Sequence, residues 1–179
     1  KQIDAVLNQK GVTVKPENIH VWYNKSEALQ NYPEDPSIKT YTCSYNTKFW
    51  GRFLLPLLCR TEYVAVFDDD MFPPPYWFEN CLRTIKNKET CGILGGSGII
   101  LPATGYRKHR KVGWNGLHSD DATEVDLVGH AWFFRQEWLK YLWMETPVTW
   151  DNGEDMLPAF AAHMHGCIKT FVPPHPDNG

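Results

Sequence analysis

The feature that most constrains the fold of this chain is a run of five apolar, β-prone residues that is followed by three consecutive aspartates. The run spans residues 63–67 (Tyr-Val-Ala-Val-Phe), and Asp68, Asp69 and Asp70 follow it directly. A continuous apolar run is typical of a strand that is covered on both faces, as in a parallel sheet. We therefore predict a buried strand at 63–67 with an acidic cluster at its carboxyl end.

The segments around this strand alternate between helical and β-prone patterns. The patterns predict helices at 3–7, 49–59, 76–88, 135–143 and 151–165, and strands at 19–23, 38–41, 92–101, 125–134 and 168–172. Residues 102–123 have no periodicity and are expected to form a long loop. This alternation predicts an α/β fold with a central, mostly parallel mixed β-sheet flanked by helices.

Length and composition limit the classes of protein that this chain can belong to. Its 179 residues, 42% of them hydrophobic, fit one domain with its own core, and we expect a monomer. The 18 basic and 21 acidic residues leave a net charge of −3, which argues against a nucleic acid partner. No apolar run reaches the roughly 20 residues that a membrane-spanning helix needs.

The five cysteines are scattered and lack the spacing of a zinc site or a disulfide framework. We expect reduced thiols, which favours a cytoplasmic location. The Golgi or ER lumen is the alternative, if a membrane anchor lies outside this sequence.

The three adjacent aspartates carry the strongest chemical signal. Adjacent carboxylates repel one another, so the end of a buried strand is a costly place for them unless a cation is bound. Aspartate oxygens suit Mg²⁺ or Mn²⁺, which complete their coordination with water and substrate phosphates. The triplet therefore predicts a divalent-metal site that binds a diphosphate. The structural alternative is an acidic turn in which an aspartate caps the following helix.

Residues 64–70 resemble the apolar strand and Asp-x-Asp signature of glycosyltransferases with the GT-A (Rossmann-like) fold. Further segments resemble those of exostosin-type and family-2-like members and occur in the same order: residues 21–24, 46–53, 128–134 and 152–156. The resemblance implies a single GT-A domain over residues 1–179. It also implies transfer of a sugar from a nucleoside-diphosphate sugar to a hydroxyl of a glycan or glycoprotein acceptor.

The resemblance assigns roles to individual residues. Asp70 and Asp68 would bind Mn²⁺ or Mg²⁺, with His175 as a further ligand after the last strand. The residues that would contact the nucleotide-sugar donor are Asp68, Asp69, Asn46, Arg52 and His130. Structural alternatives remain open: Arg52 as a surface helix residue, His130 as a buried and satisfied histidine, and His175 as a loop residue.

Asp155 and Glu154 are the predicted catalytic carboxylates, and the resemblance favours Asp155. Such a group would deprotonate the acceptor hydroxyl or stabilise an oxocarbenium-like centre. A structural explanation is also available for this pair. Asn152 is a good N-cap, and acidic residues in the first turn of a helix interact favourably with its dipole.

The resemblance defines the sugar donor and the stereochemistry of transfer less closely than it defines the site residues. A UDP-sugar is the expected donor because related enzymes use one. GT-A domains usually begin with a strand that holds the base, and we expect this strand to be missing from a chain that is part of a longer, multidomain protein. The exostosin-like segments favour retention of the anomeric configuration and the family-2-like segments favour inversion; we expect retention.

Three other functions are compatible with an acidic triplet on an α/β sheet. The first is sugar-1-phosphate nucleotidyl transfer, although the Gly-rich, Arg-containing N-terminal loop of those enzymes is absent. The second is metal-dependent hydrolysis of phosphate esters. The third is a non-catalytic glycan-binding module, against which the intact acidic motifs argue.

Overall fold

A computed structural model describes residues 1–26, 35–113 and 120–175. Its helices are α1 (Gln2–Leu7), α2 (Trp77–Lys86), α3 (Leu139–Leu142) and α4 (Met156–Gly166). Its strands are β1 (His20–Tyr23), β2 (Lys39–Thr42), β3 (Tyr63–Phe67), β4 (Gly92–Ile100), β5 (Arg110–Val112), β6 (Thr123–Val125), β7 (Leu127–Arg135) and β8 (Lys169–Val172). The α/β class predicted from the sequence is confirmed.

The helix predicted at 49–59 is wrong. This segment forms two short 3₁₀ helices, Gly51–Phe53 and Leu55–Leu58. Pro56 has no backbone N–H to donate to the carbonyl four residues earlier, so a continuous α-helix cannot pass through it.

Four other predicted elements have different bounds. The strand expected at 125–134 is divided at Asp126 into β6 and β7, and a 3₁₀ turn, Gln136–Trp138, precedes α3. Helix α4 begins at Met156 rather than at residue 151. The loop expected at 102–123 contains β5, and its residues 114–119 lie outside the described part of the chain.

The strands form two sheets. One has the strand order β3-β7-β4-β8-β6, with β5 paired to β4, and the other is the parallel pair β1-β2. Within the larger sheet β4 and β8 are parallel, whereas β3 is antiparallel to β7 and β4 is antiparallel to β7. The sheet is therefore mixed, with β4–β8 as the one parallel pair among its described strands, and the carboxyl end of β3 lies beside the middle of β7.

Each face of the larger sheet is covered by a separate hydrophobic core. Helix α2 packs on one face, where Trp77, Cys81 and Ile85 meet β4 and β7. The other face is covered by α3, by α4 and by the 3₁₀ helix Gly51–Phe53, which contributes Phe53. Strand β3 contributes alternate residues to both cores, so its apolar run has a structural cause at every position.

Gly95 of β4 offers a test of this packing. A Cβ atom built on Gly95 would stand 2.2 Å from Cβ of Val128, inside the core. We expect Gly95→Ala to lower the free energy of unfolding by about 1–3 kcal/mol, because the neighbouring strand must shift. Gly96→Ala is the matched control, since its nearest neighbour would be Cβ of Ala131 at 3.4 Å. Urea denaturation of both variants measures the difference, and equal stability would contradict this account.

Candidate active site

The acidic triplet forms a turn at the carboxyl end of β3. The backbone N–H of Asp68 donates to the carbonyl of His130 on β7, and the N–H of Met71 donates back to the carbonyl of Asp68. Asp69 and Asp70 follow on the exposed side of this turn. The fold therefore holds Asp68 against the sheet and leaves the other two carboxylates open to solvent.

Arg52 is the central cation of the site. Its guanidinium contacts the carboxylate of Asp68, and Nη2 lies 3.3 Å from Oε1 of Glu154. Its Nε donates to the carbonyl of Phe49 at 2.9 Å, and the group also lies 5.2 Å from the centre of the Trp132 ring. A planar guanidinium with several fixed donors suits two carboxylates at once. The alternative of Arg52 as a surface helix residue is therefore wrong.

The electrostatics of the site centre on this arginine. Burial lowers the pKa of Arg52 from its ordinary value, and the nearby carboxylates of Glu154, Asp155, Asp69 and Asp70 oppose that decrease. Burial also raises the pKa of the Glu154 carboxyl above its ordinary value, while the charge of Arg52 acts in the opposite direction. The contacts and the directions of these pKa shifts agree that Arg52 is the cation that Asp68 and Glu154 share.

His130 reaches the site through an irregularity in β7. The register between β4 and β7 shifts between Gly95 and Ser97, and His130 has a φ of 65°. A left-handed backbone is uncommon for a residue with a side chain, and such residues concentrate at functional sites. Here the bulge directs Nδ1 of His130 to 3.6 Å from Oδ2 of Asp68.

The left-handed backbone of His130 predicts that two substitutions at this position differ in stability. We expect His130→Gly to be more stable than His130→Ala by about 1 kcal/mol, because only glycine adopts a positive φ without a steric cost. Both variants remove the imidazole from Asp68 and should lose transfer activity to a similar extent. Thermal and urea unfolding test the stability; an alanine variant as stable as the glycine variant would show that the backbone has relaxed.

Glu154 and Asp155 lie just before α4, and their side chains differ in what they contact. Glu154 bonds to Arg52, whereas Asp155 is the N-cap and accepts from the N–H of Met156 at 2.8 Å. The expectation that Asn152 is the N-cap is wrong, because the helix begins four residues later. Lys48 also contacts the carboxylate of Asp151, which joins the loop before the first 3₁₀ helix to this segment.

Two further predicted residues, Asn46 and His175, lie outside the helices and strands. The side-chain oxygen of Asn46 accepts from the side chain of Asn24 and from the N–H of Lys48, each at 2.7 Å, so it shapes its own loop. His175 follows β8, where the carbonyl of the neighbouring Pro174 accepts from the Asn80 side chain. Among the described residues, no three His, Cys, Asp or Glu side chains form a group that could hold a metal ion.

The residues of the triplet nevertheless fit a divalent cation that takes most of its ligands from elsewhere. Asp68 is already engaged by Arg52, but the exposed carboxylates of Asp69 and Asp70 are free to offer hard oxygen ligands. Mg²⁺ is commonly bound by one or two carboxylates together with water and substrate phosphates. Metal binding by Asp70, Asp68 and His175 stays a prediction.

Two glutamines that the sequence does not mark as site residues support the acidic turn. The side chain of Gln2 on α1 donates to the carbonyls of Asp68 and Met71, at 2.5 and 2.6 Å. Gln9 donates to the carbonyl of Pro74 and accepts from the N–H of Phe78, so it fixes the start of α2. No local pattern in the sequence distinguishes these glutamines from surface residues.

Comparison with known proteins identifies the family of the chain. The family model "Glycosyl transferase family 2" matches residues 3–143, a span that contains β3, the acidic triplet and Arg52. The match ends before Glu154 and Asp155, and no curated protein matches the chain. In the described part of the chain, no helix is both long and apolar enough to span a membrane. The chain therefore belongs to glycosyl transferase family 2 and is a glycosyltransferase with a GT-A-type α/β fold.

Proposed function

We propose that this enzyme transfers a sugar from a UDP-sugar to a hydroxyl of a glycan or glycoprotein, with Mn²⁺ or Mg²⁺ bound at the acidic triplet. The observation that carries this proposal is the convergence of Asp68, the first residue of the triplet, and Glu154 on one half-buried arginine, Arg52. The metal, when bound, would polarise the diphosphate and stabilise the charge of the leaving group. The donor therefore lies at the carboxyl end of β3.

On the donor side, each residue has a role that follows from its contacts. Asp70, which is exposed, would be the principal metal ligand. Asp68 is held by Arg52 and His130, so its carboxylate is oriented before the donor binds. His130 then stands where it can also contact a donor hydroxyl. Preorganised groups of this kind stabilise developing charge without having to reorient during the reaction.

On the acceptor side, we assign the general base to Asp155 and a positioning role to Glu154. The Glu154 carboxylate is paired with Arg52, which leaves its charge balanced within the site. The Asp155 carboxylate contacts the N–H of Met156 and is the next group along the chain. A base needs a carboxylate that can approach the acceptor hydroxyl, and Asp155 satisfies this condition better.

We propose inversion of the anomeric configuration in place of the retention expected from the exostosin-like segments. The family match supports family 2, whose resemblance favours inversion. Inversion requires a single displacement and one base on the acceptor side, which Asp155 supplies. The anomeric coupling constant of the product in a proton NMR spectrum distinguishes the two outcomes, and a retained configuration would overturn this assignment.

Replacement of Asp70 tests the donor site directly. We expect Asp70→Ala to lose metal-dependent binding of UDP, because it removes the exposed carboxylate at the end of β3. Calorimetric titration of UDP, GDP and CMP, with and without Mn²⁺, measures the effect on wild type and variant. Asp4→Ala is the control, since Asp4 is an exposed carboxylate of α1 that bonds the chain's N-terminal amine.

The expected result is binding of UDP alone, only with Mn²⁺, by wild type and by the Asp4 variant. Binding of GDP or CMP instead would correct the base. Unchanged metal-dependent binding by Asp70→Ala would refute the assigned metal ligand. If no nucleotide binds to wild type, the acidic triplet is a capped turn rather than a donor site.

A further inference from the structure

A cavity of about 580 Å³ lies between α4, β6 and residues 147–153. Its walls are mainly apolar and include Trp50, Val148, Met156, Phe160 and Ile168. Cavities that bind small molecules typically measure roughly 300–1,000 Å³ and combine apolar walls with a few polar groups. This cavity has the size and composition of a ligand site.

The outer face of α4 beside the cavity is apolar and exposed. Met156, Phe160 and Met164 recur every four residues and therefore share one face of the helix, with 45%, 55% and 52% of their surface exposed. The opposite face of α4 is buried against the sheet through Ala161 and Ala162. A helix that is apolar on both faces is expected to be covered on both faces, so a bound molecule is expected against this exposed face.

The cavity adjoins the candidate active site through two chain segments. Trp50 and Gly153 line the cavity, and the ion pair between Arg52 and Glu154 lies immediately beyond them in the chain. The rings of Trp50 and Trp150 meet edge to face at 5.4 Å in the same region. Glu154 and Asp155 stand in the chain between Gly153 and Met156, both of which line the cavity, so the cavity adjoins the proposed acceptor side.

Three charged side chains at the rim of the cavity contact other groups of the protein. Nζ of Lys169 lies 2.7 Å from Oε2 of Glu124, so these two rim charges neutralise each other. Oδ2 of Asp126 accepts from the N–H of Leu101 at 2.6 Å. His163 also lines the cavity, but most of the wall is apolar, so the cavity favours a hydrocarbon or aromatic group over a phosphate.

We propose that the cavity binds an apolar aglycone of the acceptor, a short alkyl or aryl group linked to the sugar or alcohol that receives the transferred residue. This inference rests on the proposed function, because it takes the Glu154–Asp155 segment as the acceptor side. It narrows the acceptor class from any hydroxyl compound to one with an apolar substituent next to the reacting end. Met156 and Phe160 of α4 then form part of the wall of the acceptor site.

The test compares two probes that differ only in their apolar part, methyl and hexyl β-D-glucopyranoside. Each methylene that leaves water should strengthen binding about three- to fourfold. We expect hexyl glucoside to bind wild type at least about tenfold more tightly than methyl glucoside, because the cavity encloses only part of the chain. Phe160→Ser should remove most of this preference, and calorimetric titration measures it.

Met164→Ser is the matched control, because Met164 lies on the same exposed face but does not line the cavity. This control should keep the preference for hexyl glucoside. An equal loss in both variants would show non-specific adsorption to the helix and would overturn the proposal. A wild-type dimer that hexyl glucoside dissociates, seen by light scattering, would also overturn it by assigning this face to a second copy.

Titration of UDP with Mn²⁺ on the same protein separates this inference from the proposed function. Intact UDP binding without a preference for hexyl glucoside would refute the aglycone site alone. A preference for hexyl glucoside that depends on Phe160, without any UDP binding, would support an apolar ligand site and refute the donor site. The first result tests the aglycone site, and the second tests the donor site.

Discussion

Asp155→Asn should lower the rate of sugar transfer by about 10²–10⁴-fold, because it removes the general base that accepts the proton of the acceptor hydroxyl. Metal-dependent binding of UDP should be unchanged, since Asp155 belongs to the acceptor side of the site. The rate is measured as UDP release with the donor and acceptor that give the highest wild-type activity in a screen. The helix should remain intact, because asparagine is as good an N-cap as aspartate.

Glu154→Gln is the matched comparison for this prediction. It neutralises the neighbouring carboxylate while keeping an oxygen that can accept from Arg52, so we expect a smaller loss of rate. The contrary pattern, with the larger loss in Glu154→Gln, would assign the base to Glu154. Its pKa, raised by burial, would then suit that role.

Arg52→Met should have the largest effect on stability. It leaves the carboxylates of Asp68 and Glu154 partly buried, with 21% and 12% of their side-chain surface exposed, and without their cation. Removal of one partner from a buried ion pair costs about 3 kcal/mol or more. We expect a loss of this size in urea denaturation, and complete loss of transfer activity.

Two further variants separate the effect of the unpaired carboxylates from the loss of packing by the arginine side chain. The double variant Arg52→Met, Glu154→Gln should recover part of the lost stability, because one of the unpaired charges is gone. Arg83→Met, on the exposed side of α2, should be close to wild type, since its guanidinium is exposed and donates to the Asn80 side chain at 3.0 Å. If Arg52→Met is no less stable than Arg83→Met, the proposed role of Arg52 as the central cation is wrong.

The acidic turn and its strand were predicted well because their signals are local. An apolar run bounded by polar residues marks β3, and the prolines and following pattern mark α2. The apolar spacing at 49–59 predicts a helix that does not form, because Pro56 has no N–H and the segment folds into two 3₁₀ turns. The start of α4 was misplaced because Asn152 and Asp155 are both acceptable N-caps, and tertiary contacts decided between them.

By itself, the sequence determined the α/β class, the acidic triplet at the end of β3 and Arg52, His130 and Glu154 as candidate residues of the site. Only the tertiary structure decided which of them meet: Arg52 and Glu154 are 102 residues apart in the chain and in contact in the fold. The left-handed backbone of His130 and the support from Gln2 were likewise invisible in the sequence. The physical reason is that periodicity and capping act over a few residues, whereas ion pairs and bulges depend on how distant segments pack.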